Sequence, residues 1–450
     1  MVGVMMLNSS FGSVPPAALV YNLDATIGAL PGANITTSAS FDGSTQYLSV
    51  PNSTSLNPGT GDFTIEFWTY LNSTTGNASF YRGNNSGVDI FMNASGKLAM
   101  GQAQVSTLIT DSVTMTTTAW VHVAVVRSGG TTTLYKNGTS VGSAGDSNNY
   151  VTDSINYIGT QGSFYVNGYM SNLRVVIGTA VYTSNFTAPT KALLPVSGTV
   201  LLLPLTTTPF VDISSYIVTV TNNGTTTTTA SAPSITGPTT DLTGTYTLTI
   251  TNAAPSITWS TGNGGVFNKT GSNTTDLIKG GPNYTSSSQS YTVFMAYQLQ
   301  PVSSSVGNGR ILATADETTN DWLLGSYAPG TPNSPMYFNA FYPNADMGYN
   351  VDAYDTGWRF IWGTYNGTTG VSTKFIASST VNNTSGPSSA YKTSSISVGS
   401  HGFNQLRLWN RSNNFEPATG NIGFVKVYNG VCSISQIQSQ WSAYHSRFGI

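Results

Sequence analysis

The stretch Trp120-Val-His-Val-Ala-Val-Val-Arg127, Ser128-Gly129-Gly130, Thr131-Thr-Thr-Leu-Tyr-Lys136, Asn137-Gly138 decides the class of fold. Two runs of β-branched, apolar and aromatic residues are separated by a glycine turn, and the second runs into Asn-Gly. Such runs read as strands. Asn-Gly supplies the two left-handed residues of a type I′ turn, whose twist matches a hairpin. Upstream, Phe63-Thr-Ile-Glu-Phe-Trp-Thr-Tyr-Leu71 alternates apolar and polar residues, the period of a strand with two different faces. These strands are expected to be antiparallel neighbours.

The order then repeats. Tyr291 to Leu299 resembles the strand at Phe63, and Trp358 to Tyr365, followed by Asn366-Gly367, resembles the strand at Trp120. Ser154 to Thr160 is matched with Ser395 to Ser400, and Gly168 to Val176 with Gly420 to Tyr428. The equivalents lie about 230–260 residues apart, which marks a duplicated domain and not a short repeat. The expected division is residues 1–208 and 209–450, with Thr206-Thr-Thr-Pro209 as the break. The Thr-rich stretch from Thr219 to Thr251 either opens the second domain or forms a small extra β layer. Residues 1–37 read either as a docking arm or as a first strand of domain 1. Helix is expected only at the C-terminus. There Ser433-Ile-Ser-Gln436 fits a capping box, and Ile434, Ile437, Trp441, Tyr444 and Phe448 recur at helical spacing.

Composition narrows the function. Charged residues are 8% of the 450, net charge is -2, and hydrophobic residues reach 39% with 24 Tyr. That is enough apolar material for a core. It is a poor basis for binding nucleic acid, which needs clustered Lys and Arg. No apolar run approaches the roughly 18–20 residues of a membrane helix. The single cysteine, Cys432, allows neither an internal disulfide nor a zinc cage. Residues Met1 to Leu7 are too short for a signal peptide, and the first basic residue is Arg82. Synthesis in a cytoplasm is therefore expected for a chain composed like an exterior protein.

Phe41-Asp-Gly-Ser-Thr-Gln-Tyr-Leu-Ser-Val-Pro51, Gly61-Asp-Phe-Thr-Ile-Glu-Phe-Trp68, the Trp120 strand and Leu134-Tyr-Lys-Asn-Gly138 resemble laminin-G-like, concanavalin-A-type jelly-roll domains. The likeness covers about residues 38–205 and, more faintly, 290–447. It implies an all-β chain of two tandem antiparallel sandwiches, with ligand loops at the rim. Arg174-Val-Val-Ile-Gly-Thr-Ala-Val-Tyr-Thr-Ser-Asn-Phe-Thr-Ala-Pro189 further resembles the domain as found in phage and other viral structural proteins.

No motif carries convincing catalysis. Gly138-Thr-Ser140-Val-Gly142 matches G-x-S-x-G, but it follows a hairpin turn in an all-β context instead of forming a strand-to-helix elbow. A glycosidase needs two carboxylates about 5–10 Å apart. The only glutamates are Glu66, Glu317 and Glu416, and the best acidic group is Asp316, Glu317 and Asp321. The pentraxin relatives bind calcium just after the strand equivalent to Ile155–Ile158. Here Gly159 to Ser163 and Gly399 to Phe403 hold no acid, so the resemblance implies that site is lost. Asp316, Asp321 and Asp346 remain as candidates for another calcium site, since calcium takes oxygen ligands. His122, His401 and His445 do not cluster and are read as structural.

The aromatic-rich segment from Trp322 to Trp358 is the candidate glycan site. Trp322, Tyr327, Tyr337, Tyr342, Tyr349 and Tyr354 offer flat faces for sugar rings, and Asn344, Asp346 and Asp352 offer polar groups for hydroxyls. The other reading makes its alternate aromatics core residues. Asn-x-Ser/Thr sequons recur from Asn8 to Asn410, with Asn72, Asn77, Asn93, Asn137, Asn223, Asn366 and Asn382 as glycosylation candidates. The expected function is a non-enzymatic virion-surface structural protein: a fibre, spike or capsid-decorating subunit. Its expected partners are other virion or capsid proteins, further copies of itself in a homo-oligomer, and host-surface glycans. The alternative is an extracellular or cellular lectin, and after that a glycan-degrading enzyme.

Overall fold

The computed structural model describes residues 17–251, 257–270, 277–282, 289–299, 309–314, 323–326, 336–341, 345–349, 357–378, 386–390, 392–395, 406–409 and 419–450. Four antiparallel sheets pack in pairs. In the first sandwich, one sheet runs in space as Thr139–Gly145, Thr131–Lys136, Trp120–Ser128, Phe63–Leu71, Asn167–Ile177, Ser38–Asp42 and Thr227–Thr229. Thr199–Leu203 also pairs with Asn167–Ile177. We call it the covered sheet, because the chain from Gly178 to Leu194 lies over its outer side: Ala180, Tyr182 and Phe186 pack on Ala124, Val126 and Tyr135. The facing sheet runs Thr221–Asn223, Tyr47–Pro51, Val151–Ile158, Ala78–Ser86, Val88–Met92, Lys97–Gln102 and Ser106–Thr114. Between them Phe63, Ile65 and Phe67 meet Phe80, Ile90 and Met100 in one core.

The second sandwich repeats this order. Its covered sheet runs Lys392–Ser395, Val371–Ser378, Arg359–Asn366, Tyr291–Leu299, Gly420–Asn429, Val266–Lys269 and Ile257–Ser260. Its other sheet runs Thr249–Thr251, Leu277–Gly280, Leu406–Leu408, Gly309–Thr314, Leu323–Ser326, Met336–Phe341 and Ala345–Tyr349. Read strand by strand, the two lists match. Three sequence equivalences stand as expected: Phe63 with Tyr291, Trp120 with Trp358, and Gly168 with Gly420. The fourth is corrected. Strand Val151–Ile158 takes the place of Leu406–Leu408, and Lys392–Ser395 is instead the counterpart of Thr139–Gly145.

The division at residue 208 does not follow the pairing. Ala18–Asp24 is antiparallel to the last strand, Asp24 opposite Phe424 and Ala18 opposite Asn429. It therefore belongs to the second sandwich and not to domain 1, where it takes the position that Thr199–Leu203 holds in the first. Thr221–Asn223 and Thr227–Thr229 extend both sheets of the first sandwich, while Thr249–Thr251 and Ile257–Ser260 extend both sheets of the second. The Thr-rich connector thus gives edge strands to both halves. No single cut separates them.

Local chemistry explains the turns. Asn137 and Gly138, both at positive φ, form the two-residue hairpin expected of Asn-Gly. A Cβ at Gly138 would stand 1.9 Å from the Phe186 carbonyl oxygen, so only glycine lets the covering segment dock there. Asn366 behaves differently: its Oδ1 accepts from Thr368 N and Thr369 N and closes a longer loop before Val371. The C-terminal helix spans Ile434–Tyr444, with the Ser433/Gln436 capping box present. Ile437, Trp441, Tyr444 and Phe448 are buried against Phe294, Phe360 and Phe424, whereas Ile434, at 38% exposure, starts the helix outside that contact. Cys432 is buried beside it. No helix among the described residues is long and apolar enough to cross a membrane.

Candidate functional site

Several ion pairs stand on the first sandwich, among them Arg127–Asp146 and Lys136–Asp111, and two clusters on outward strand faces contrast: one lies under the covering segment and the other lines a groove. Under the covering segment, Glu66 is fully buried. Its Oε1 accepts from Arg174 Nε at 2.9 Å, its Oε2 accepts from the Tyr182 hydroxyl at 2.9 Å, and His122 Nε2 lies 3.2 Å away. Burial alone would raise the Glu66 carboxyl. The His122 hydrogen bond and the Arg174 charge outweigh it and hold the group below its ordinary value. The covering segment closes over the cluster, and His122 Nδ1 is left buried without a hydrogen-bond partner. This cluster fastens the covering segment to the sheet.

The second cluster lies on the outer face of the facing sheet. Arg82 and Asp89 sit opposite one another on adjacent strands. Arg82 Nη1 donates to Asp89 Oδ2 at 2.6 Å and also to Gln161 Oε1. The Ser79 hydroxyl donates to Asp89 Oδ1 at 3.3 Å. The pair forms part of the lining of an open groove of about 550 Å³, flanked by Phe91, Phe164, Asn77 and Gln102. Phe164 is 38% and Val105 61% exposed, so the groove has apolar walls as well as polar groups. A second opening, about 340 Å³ beside Ser197, Ser215 and Tyr216, is lined by no charged side chain.

Burial pushes the Asp89 carboxyl up to about 6, with the Arg82 charge and the Ser79 hydrogen bond pulling against it. A raised carboxyl favours folding below its unfolded value of 3.8, and that contribution is lost as pH rises through about 6. The acceptor strength of the groove runs the other way, because the carboxylate is the stronger acceptor. Affinity for a hydroxyl-bearing ligand should therefore weaken as pH falls through about 6, by about fivefold for ~1 kcal/mol of lost charge assistance. Titration calorimetry at pH 5 and 7.5 reads this, and Asp89→Asn should flatten the difference.

The sequence-based candidates fall unevenly. Trp322, Tyr327, Tyr342, Asn344, Asp352 and Tyr354 lie outside the described residues, as do Asp316, Asp321, His401 and Asn382. Tyr337 stands opposite Gly325 and Gly348, and Asp346 opposite Asn339; Tyr349 stands opposite Met336, at the alternate register. Strands Leu323–Ser326, Met336–Phe341 and Ala345–Tyr349 are the counterparts of Val88–Met92, Lys97–Gln102 and Ser106–Thr114, which build the groove. The segment singled out in the second half is thus equivalent to the groove-forming segment of the first. Arg82, Asp89, Gln161, Phe91 and Phe164 were not singled out. Their signal was the chain's first basic residue, Arg82, closely followed by Asp89; the strand holds no clean alternation, since Phe80 and Tyr81 both enter the core across a register shift.

Among the described residues, no group of three or more His, Cys, Asp or Glu is placed to hold a metal. His445 Nδ1 lies 2.7 Å from the Ile450 carbonyl oxygen, and its ring stacks on Trp441. Ser140 lies exposed in strand Thr139–Gly145 and forms no elbow. Of the sequons, Asn72 and Asn137 are exposed, and Asn77, Asn93, Asn223 and Asn366 are half-buried. Several serve as turn formers: Asn93 Oδ1 accepts from Ser95 N and Lys97 N, and Asn137 Oδ1 from His122 N. The nitrogens of Asn72 and Asn223 already donate, to Asn167 Oδ1 and Ser49 Oγ.

The architecture is concanavalin A-like, a lectin-like jelly roll. Residues 42–179, which include the groove, match the family model described as the concanavalin A-like lectin/glucanases superfamily. No curated protein matches the chain. Among solved structures, a putative carbohydrate binding protein from Bacteroides ovatus aligns at 17% identity and a TM-score of 0.36, over 45% of this chain and 62% of that one. This chain thus spans less than two thirds of that protein's length. Domain 4 of an extracellular arabinanase from Geobacillus stearothermophilus, in complex with arabinotriose, aligns at 18% identity and a TM-score of 0.32, over 44% of this chain and 90% of that one. Mouse laminin alpha1 domains LG4-5 align at 8% identity and a TM-score of 0.26, over 90% and 87%.

Proposed function

We propose that this protein is a non-enzymatic glycan-binding module, and that the Arg82–Asp89 groove is where it binds. The observation that carries this reading is the pair itself. Removing two charges from water is costly, and their mutual attraction adds little net stability. A pair kept at an open groove between aromatic walls offers one donor and one acceptor side by side, the arrangement that recognises neighbouring hydroxyls. Among the described residues, Asp89 is the one carboxylate lining the groove, and hydrolysis would call for two. Binding without bond cleavage is therefore the better fit.

The setting we propose is the exterior of a virion, in a fibre, spike or capsid-decorating subunit. The low charge and Thr/Ser/Asn-rich composition support it, together with the viral likeness of Arg174 to Pro189. That stretch runs from the buried Glu66 cluster into the covering segment, where Tyr182 stacks on Phe186 at 3.6 Å. The test has two arms. A glycan array should show binding by the intact chain and at least a tenfold loss for Arg82→Gln. Fractionation of the natural source should place the protein with particles. Binding without particle association replaces the virion setting with a free lectin, and sugar release replaces binding with catalysis.

A further inference from the structure

The groove is one end of a longer strip. Opposite residues of an antiparallel pair share a face, so the register carries the Arg82–Asp89 level across the sheet. Arg82 stands opposite Tyr157, and Tyr157 opposite Ser49. On the other side Asp89 stands opposite Gly101, and Gly101 opposite Thr107. Two residues before Ser49, on the same face, comes Tyr47. Tyr47 gathers two further rings: its centroid lies 6.0 Å from that of Tyr157 and 6.2 Å from that of Tyr165. All three tyrosines are half-buried, each leaving part of its surface open.

We infer that the ligand of this face is an extended, uncharged oligosaccharide lying across the strands, held at one end by Arg82 and Asp89 and at the other by the Tyr47/Tyr157/Tyr165 platform. This rests on the glycan-binding reading of the groove and adds the size and charge of what binds. Size follows from spacing. From the strand of Tyr47 to that of Asp89 are three strand steps, about 14 Å at 4.7–4.9 Å each, so the strip seats roughly three or four sugar units and not one. Charge follows from the groove end: among the described residues that line it there are one cation and one anion, already paired, and no second basic side chain to receive an acidic sugar. Tyrosine suits the far end, since its ring packs on a sugar's C–H face while its hydroxyl stays polar.

The test is an array of neutral oligosaccharides graded from one to six units, beside sialic- or uronic-acid-bearing ones of equal length. Kd values are then measured for the best neutral series. The expected result is affinity that rises at least tenfold from one unit to four and then levels off, with neutral chains ahead of acidic ones. In Tyr47→Ala and Tyr157→Ala the ratio between one-unit and four-unit Kd should fall towards one. A wild-type protein that binds one unit as tightly as four overturns the inference while leaving the groove as a glycan site. Acidic chains binding more tightly than neutral ones overturn its charge. No binding anywhere on the array defeats the glycan reading itself. The wild-type series decides the question even if a tyrosine variant folds poorly.

Discussion

Glu66→Ala should unfold the first sandwich well before the second. The substitution removes the one carboxylate that Arg174, His122 and Tyr182 share, in a cluster where Glu66, His122 and Arg174 are buried. Breaking a buried pair from one side costs about 3–5 kcal/mol, because the stranded charge is left uncompensated. At about 2–4 °C per kcal/mol for a domain of this size, the melting midpoint should drop by roughly 10 °C. The pH dependence carries a sign as well. The Glu66 carboxyl is held below its ordinary value, so its contribution is present above about 4.5 and is lost as pH falls through the folded value. Scanning calorimetry from pH 7 to 3 should show the wild type losing this increment while Glu66→Ala has none to lose. Equal midpoints for the two proteins at pH 7 would mean that the cluster does not hold the covering segment.

A fragment of residues 209–450 should fail to fold, although it contains most of the second sandwich. It lacks Ala18–Asp24, and with that strand it loses Leu23 and Ala25 from the core. The larger loss is Asp24. Its Oδ1 accepts from Arg447 Nη1 at 2.9 Å and from the Thr26 hydroxyl at 2.7 Å, and its Oδ2 lies 3.9 Å from Lys426 Nζ. Without it, Arg447 and Lys426 are two buried cations that repel each other, and the more distant charge of Asp212 acts on Lys426 in place of the lost contact. Burial already lowers Lys426 to about 8, with the Asp24 charge the larger of the two carboxylates, Asp24 and Asp212, that pull it back up. In the intact chain Asp24→Ala should cost about 3–5 kcal/mol in the second transition alone. The fragment should show no cooperative melt by circular dichroism. A cooperative melt near the intact midpoint would show that the first strand is dispensable.

These two expectations also mark what the sequence made legible. Period-two alternation at Phe63 to Leu71 and the Asn137-Gly138 turn are local, and they announced strands and a hairpin correctly. The duplication was legible for the same reason, since central strands repeat their residue types. Edge strands were not. Thr221–Asn223 and Thr227–Thr229 carry little apolar pattern, and Ala18–Asp24 finds its partner at the far end of the chain, which no local signal announces. The match of Ser154 with Ser395 failed on short polar runs that fit several strands equally well.

The candidate site was half legible for a different physical reason. Alternation shows that a strand has two faces, but not which face another segment covers. Glu66 and Arg82 both stand on outward faces of central strands. Only the three-dimensional path of Gly178 to Leu194 closes the first and leaves the second open. The aromatic and amide logic pointed to Trp322–Trp358, whose described strands are the second copy's counterparts of the groove-forming ones. In the first copy those strands carry fewer aromatics, so the groove was passed over.

The central claim is that the Arg82–Asp89 groove binds sugar. The most direct measurement is a crystal structure of the intact chain with the best neutral tetrasaccharide from the array. The account predicts sugar hydroxyls within hydrogen-bond distance of Arg82 and Asp89, with the chain running towards Tyr157 and Tyr47. Sugar bound only at the rim loop around Gly159 to Ser163, or only on the second sandwich, with the groove left to solvent, would contradict it.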